Sequence, residues 1–184
     1  MARVGFLLGA ICSPIAAWGI YDRKFPLPAP LDIDFPLAAT FHIRRALWCS
    51  ALADKAYHLD QAMRRVLTAG LGAASPQSTA LVVFLSQLYL EAETVDLENL
   101  RASFAALIHK PHIGEGVSEE RQRIEMAFKV ADKLCRTLIE RGDTQEAKDY
   151  AARVLKLFSQ APPYLKNKWT DHPLRSNFES FLKA

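Results

Sequence analysis

From residue 37 to the end of the chain, apolar positions recur every three or four residues without strand-like alternation, which predicts helices and little else. Residues 38–52 spread Phe41, Ala46, Trp48, Cys49 and Leu52 among polar neighbours. Residues 61–71 set Ala62, Met63, Val66, Leu67 and Leu71 at helical spacing, and Gly70 and Gly72 end that helix. Ser75-Pro76 supplies an N-cap and first helical residue for the next, an apolar stretch over 79–91 with Leu81, Val82, Phe84, Leu85, Leu88 and Tyr89. Asp96 opens a fourth helix through Leu97, Leu100, Phe104, Leu107 and Ile108. After the loop HKPHIGEGV (109–117), Ser118-Glu119-Glu120 places a cap and two carboxylates at the start of a helix that runs to Arg141. Gly142-Asp143 breaks the chain, residues 144–159 form the sixth helix, and Pro162-Pro163 follow it. A short seventh helix is expected over 173–182, with Asp171 as N-cap and Leu174, Phe178, Phe181 and Leu182 on its apolar face.

Helices joined by short turns are antiparallel neighbours. Here the pairs repeat. The most regular stretch is ADKLCRTLIERGDTQEAKDYAARVL (131–155): Leu134 and Cys135 form a large–small pair, Gly142-Asp143 is the turn, and Ala147 is a small residue at the helix crossing. A small side chain there lets two helices approach closely while larger ones fill the gaps on each side. The stretch resembles the tetratricopeptide repeat, a helix–turn–helix unit of about 34 residues, with Leu138 replacing the usual Tyr. Residues 44–71 resemble it less closely, with Cys49-Ser50 in the Leu–small slot, Ala62 at the crossing and Pro76 near the closing proline. Residues 80–108 supply Leu85-Ser86 and Tyr89, with two extra turn residues and Leu100 where a small residue is usual. The resemblance covers residues 38–160. It implies an all-α fold of about three such repeats in a short α-solenoid, capped by the C-terminal helix, because one unit cannot bury its own apolar face. A generic helical bundle with a chance turn is the alternative.

Ahead of the helices, 17 uncharged residues run from Val4 to Ile20. As a helix they would span roughly 25 Å of a ~30 Å hydrocarbon core, with Trp18 and Tyr21 at the level of interfacial aromatics. Residues 1–24 are therefore expected to be a single-pass membrane anchor. A cleaved signal peptide and a short helix buried within a complex are the alternatives; Ile15 at the −3 position makes a poor cleavage site. Residues 25–36, FPLPAPLDIDFP, contain four prolines and read as a stiff spacer or as an extended arm packed on the domain. Residues 37–184 are the helical domain.

Composition narrows the function. Half of the 184 residues are apolar and 23% are charged, which excludes a disordered or collagen-like chain. The net charge is +3, yet residues 25–184 hold 20 basic and 19 acidic residues, so no electrostatic footprint for nucleic acid is expected. Cys12, Cys49 and Cys135 share no CxxC spacing, and Cys49 and Cys135 read as packing residues. Neither a GxGxxG, a GxxxxGK[ST], an HExxH nor a GxSxG occurs. His109 and His112 have only Glu115 nearby, too few ligands for a metal site. Arg44-Arg45 and Arg64-Arg65 read as solvated faces, or as a basic patch for anionic lipid or acidic peptide. The expectation is a protein without catalysis, cofactor, metal or small-molecule substrate.

The resemblance implies binding of other proteins through a concave groove. Its groove-facing positions fall on Arg44, Leu47, Ala51 and Asp54 in the first repeat, Ala80, Val83, Gln87 and Leu90 in the second, and Lys129, Asp132, Arg136 and Ile139 in the third. Leu47, Ala51 and Asp132 stand where members that grip chaperone tails need polar or cationic groups, so an apolar or amphipathic segment is the expected ligand. Membrane segment, Pro-rich spacer and short repeat domain together look like the layout of fungal mitochondrial inner-membrane tetratricopeptide proteins, adaptors of the i-AAA protease, and of animal relatives that assist respiratory complex III. That likeness implies a mitochondrial inner-membrane adaptor or assembly factor. A permanent accessory subunit of a membrane complex is the alternative.

Overall fold

The computed structural model describes residues 27–73, 75–94, 96–108, 117–160 and 171–183. The chain divides into two compact units, Met1–Ile33 and Asp34–Ala184. Within the first, the described residues make a turn in which the Leu31 amide donates to the Pro28 carbonyl at 2.7 Å, around a cis Ala29-Pro30 peptide. The second unit is all-α. Its described residues form seven helices and no strand: α1 Leu37–Trp48, α2 Leu52–Thr68, α3 Pro76–Glu91, α4 Leu97–Leu107, α5 Val117–Glu140, α6 Thr144–Ser159 and α7 Arg175–Phe181. Residues 34–36 are tied to this unit, since the Gln77 amide donates to the Asp34 carbonyl at 2.9 Å and the Thr40 hydroxyl reaches the Phe35 and Pro36 carbonyls.

Several helix ends follow from the local sequence. At Gly70 and Gly142 the backbone turns left-handed, with φ of 83° and 88°, which glycine adopts without steric cost. Around Gly142 two hydrogen bonds close the end of α5, Asp143 N to Leu138 O at 2.9 Å and Gly142 N to Ile139 O at 3.0 Å. The same pair of bonds closes α2 at Gly70 and Leu71. Ser75 caps α3 by accepting from the Ser78 amide at 3.2 Å, with Pro76 as first helical residue. Asp96 caps α4 through the Glu98 and Asn99 amides.

Other ends differ from expectation. Helix α5 begins at Val117, which puts Ser118 inside its first turn, and α7 begins at Arg175 after an N-cap at Leu174 rather than Asp171. The helix expected over 38–52 stops at Trp48. Cys49 and Ala51 are extended, with ψ of 143° and 136°, and a second helix starts at Leu52, well ahead of the expected 61. No glycine or proline marks this break. Doubling back is what buries Ala39, Ile43 and Ala46 on α1 and Leu59, Ala62 and Val66 on α2, faces that one continuous rod would leave in water. Cys49 and Ser50 thus form a turn, not a large–small pair inside a helix.

The helices form three hairpins, α1/α2, α3/α4 and α5/α6. Helix α2 packs on α3, both α3 and α4 pack on α5, and α7 closes the far side of α6. In the second and third hairpins the fourth residue of the returning helix is buried, Leu100 on α4 and Ala147 on α6. The equivalent residue of α2 is Lys55, half-exposed. Ala62, expected at the crossing, is buried two turns further along, so the first hairpin keeps a different register. One apolar cluster joins Val83 on α3 to α4, α5, α6 and α7; the buried residues of α1 and α2 lie outside it.

Helices α3 and α4 have no basic residue in their last turns, and their terminal carbonyls are capped from α5. The Lys133 ammonium donates to the carbonyls of Leu90 at 2.7 Å and of Tyr89 and Ala92 at 3.3 Å, at the end of α3. Buried Arg123 donates to the Leu107 carbonyl at the end of α4. Ten residues separate the two cations, about 15 Å of helix, which is close to the length of α4. Each cation also meets the negative end of a helix dipole. Lys133→Met, which keeps the stem and removes the charge, is expected to cost about 1–2 kcal/mol. Hydrogen exchange should quicken first at the end of α3; unchanged exchange there would refute the capping role.

Helix α7 buries Phe178 and Phe181 against this core. Just before it, His172 packs edge-on to Phe128 at 5.4 Å and against Phe158 at 5.7 Å. Burial pushes the His172 pKa below its ordinary value; Lys129 adds to this and Glu125 opposes it. The unfolded chain, with histidine near 6.5, therefore takes up the proton first as pH falls. The stability that neutral His172 contributes is complete above about pH 6.5 and is lost as pH drops through the lower folded value. The melting temperature is expected to fall between pH 7.5 and pH 5.5, and to fall less in His172→Phe. Equal losses in the two proteins would count against the assignment.

Candidate interaction surface

The groove positions expected from the sequence do not form one open face. Arg44, Ala80 and Val83 are buried, and Val83 belongs to the main apolar cluster. Ala51 and Asp54 are exposed, but at the start of α2 rather than on the first helix of the hairpin. Leu47 on α1 and Gln87 and Leu90 on α3 are half-buried, with the Gln87 amide turned to Glu91 at 2.9 Å. The third set stays together on α5, where Lys129 and Arg136 are exposed and Asp132 and Ile139 half-buried.

That third set is already engaged by the chain itself. The Asn177 amide on α7 donates to Asp132 Oδ1 at 3.0 Å, while Arg136 Nε donates to Asp132 Oδ2 at 2.9 Å. The Arg136 guanidinium lies 5.8 Å from the centre of the Phe181 ring. Asp132 is thus shared between α5 and α7, and this end of the expected groove is closed by the C-terminal helix.

The most exposed apolar residues lie on the first hairpin. Leu37, Phe41 and Trp48 on α1 are 66%, 44% and 70% exposed, and Tyr57 on α2 is 60% exposed. At 100° per residue, Leu37, Phe41 and Trp48 fall within about 40° of one another, while Ala39, Ile43 and Ala46 centre about 180° away. Helix α1 therefore carries apolar residues on two opposite faces, one buried and one exposed. An amphipathic surface helix needs one such face. The signal is present in the spacing of residues 37, 41 and 48. Arg45 lies 6.0 Å from the Phe41 ring, and the hairpin holds five basic residues (Arg44, Arg45, Lys55, Arg64, Arg65) against Asp54 and Asp60.

Other features offer less chemistry. A cavity of about 220 Å3 lies between Leu52, Ala53 and Ala56 of α2 and Tyr89, Thr94, Asp96 and Asn99. It is smaller than the ~300–1,000 Å3 usual for ligand pockets, and both Asp96 oxygens are used in capping and in holding the Asn99 amide. Cys135 is buried 3.4 Å from the Ala147 carbonyl, and burial together with Asp132 pushes its pKa up to about 12, which leaves an unreactive thiol. Arg101 makes a two-pronged contact with Glu146, at 2.8 and 2.7 Å, that joins α4 to α6 and holds the Glu146 carboxyl below its ordinary range. Among the described residues no three of His, Cys, Asp or Glu converge as metal ligands. His109, His112 and Glu115 lie outside the described residues, as do Cys12 and the expected anchor from Val4 to Ile20. No described helix is long and apolar enough to cross a membrane.

No protein-family model matches the chain, and neither does any curated protein or solved structure.

Proposed function

We propose that the chain is a non-catalytic protein-interaction module, a tetratricopeptide-like array of three helical hairpins held at a membrane by residues 4–20. The observation that carries the reading is the second apolar face of α1. Leu37, Phe41 and Trp48 are exposed on α1 and Tyr57 on α2, in a hairpin whose buried residues lie outside the main cluster, and exposed aromatic residues of this kind anchor interfaces. The excess of basic charge around them favours an amphipathic partner segment with acidic flanks. The repeat reading draws support from buried Leu134, Cys135 and Leu138, from the turn at Gly142, and from Leu100 and Ala147 at matching positions. The layout of anchor, spacer and repeats supports an adaptor or assembly factor, with the mitochondrial inner membrane as its place.

The test is crosslinking mass spectrometry on the full-length protein extracted from membranes, with Phe41→Ser/Trp48→Ser alongside. Surface changes of this kind alter stability by about 0.5 kcal/mol or less, whereas loss of two interface aromatics should weaken partner binding roughly tenfold or more. Partners retained in full by the variant would sink the proposed face. A single partner at constant one-to-one ratio would make the protein an accessory subunit instead. Extraction by carbonate would remove the anchor.

A further inference from the structure

We propose that His42 and His58 form a two-histidine site for a divalent ion of the zinc, nickel or copper class, with their Nδ1 atoms as adjacent ligands and water completing the shell. His42 on α1 and His58 on α2 face each other across the first hairpin, with Nδ1 to Nδ1 3.5 Å apart and ring centroids at 5.7 Å. Both rings are half-buried, which leaves the site reachable from solvent. At zinc–nitrogen distances of 2.0–2.1 Å, nitrogens so spaced subtend about 113–122° at the metal, and closing them by roughly 0.15 Å gives the tetrahedral angle. Two helices held by the three-residue turn 49–51 fix this spacing, so little ordering is left to the ion.

The surroundings are consistent with ligation. A hydrogen bond between the two nitrogens without metal requires one ring to carry its proton on Nδ1 and the other on Nε2. In the metal-bound pair both Nδ1 lone pairs point at the ion and both protons sit on Nε2. The pair carries two protons before and two after, so neutral rings bind the ion without releasing a proton. Phe41 packs edge-on to His42 at 5.6 Å and Tyr57 to His58 at 5.3 Å, which holds the rings in place. Arg45 and Arg65 lie close enough to His42 to act on it electrostatically. The same arginines repel the ion. The site is therefore weak and exchangeable, unlike a closed four-ligand structural site, with open positions that favour an anionic co-ligand such as a carboxylate. Imidazole ligation further orders the ions, with copper bound more tightly than zinc or nickel.

The test is calorimetric titration of the full-length protein with Zn2+ and Cu2+ at pH 7.5, in a background of His109→Ala/His112→Ala that removes the other close histidine pair. One saturable equivalent is expected. His42→Phe and His58→Phe should each weaken it by about tenfold or more, with the far-UV circular dichroism unchanged. His42→Gln and His58→Gln serve as a second pair in case the Phe variants pack differently. Spectra of the Cu2+ form should show two nitrogen ligands. Equal affinity in the variants, or no saturable binding, would overturn the proposal without touching the proposed interaction face.

Discussion

Phe128→Ala is expected to lower stability by about 3–5 kcal/mol, the usual cost of emptying a buried aromatic site. Phe128 is fully buried on α5, stacks on Phe158 of α6 at 4.3 Å with 27° between planes, and meets His172 edge-on. Phe158 in turn touches Phe178 of α7 at 6.4 Å. One ring thus joins two helices and the lead-in to a third, and collapse around the vacancy would have to move all of them. For a domain of this size the change corresponds to a drop of roughly 6–20 °C in melting temperature. Amides of α7 should lose exchange protection before those of α3. A shift under about 3 °C would mean that α6 and α7 do not enclose this position.

The part of the fold visible in the sequence was the part decided locally. Gly70, Gly142, Ser75-Pro76 and Asp96 end or start helices through their own backbone and side-chain chemistry, and each sits where that chemistry predicts. The break at 49–51 was invisible because Cys, Ser and Ala do not demand it; only the burial gained by α1 against α2 does. The candidate surface was harder still. Periodicity places Phe41 and Trp48 on a helix but does not report which of its faces is buried. Arg44, Ala80 and Val83 fall on expected groove positions, and packing draws all three inside. The His42–His58 contact joins residues 16 apart across a turn the sequence did not reveal.

Ala147→Phe separates the hairpins by experiment. Ala147 and Ala151 are fully buried on α6, and the Cys135 sulfur lies 3.4 Å from the Ala147 carbonyl, so a ring there has no free space. Overpacking of this kind costs ~1–3 kcal/mol and sometimes more. At the matching place on α4, Leu100→Ala is expected to cost about 2–5 kcal/mol, since a large residue fills the crossing there. On α2 the matching Lys55→Phe is expected to change stability by no more than about 0.5 kcal/mol. Thermal melts of the three variants test the shared register of the second and third hairpins and the different register of the first. Equal tolerance at 55 and 147 would remove the basis for that distinction.

The capping of α3 and α4 by Lys133 and Arg123 has a consequence for how the protein is made. A ribosome releases α3 and α4 before either cation has emerged, and the ends of both helices then have only water for partners. The middle hairpin is therefore completed only when residue 133 has left the exit tunnel, so a stalled or truncated chain ending between residues 109 and 116 would present a frayed, protease-sensitive hairpin. Its maturation is timed by the helix that follows it.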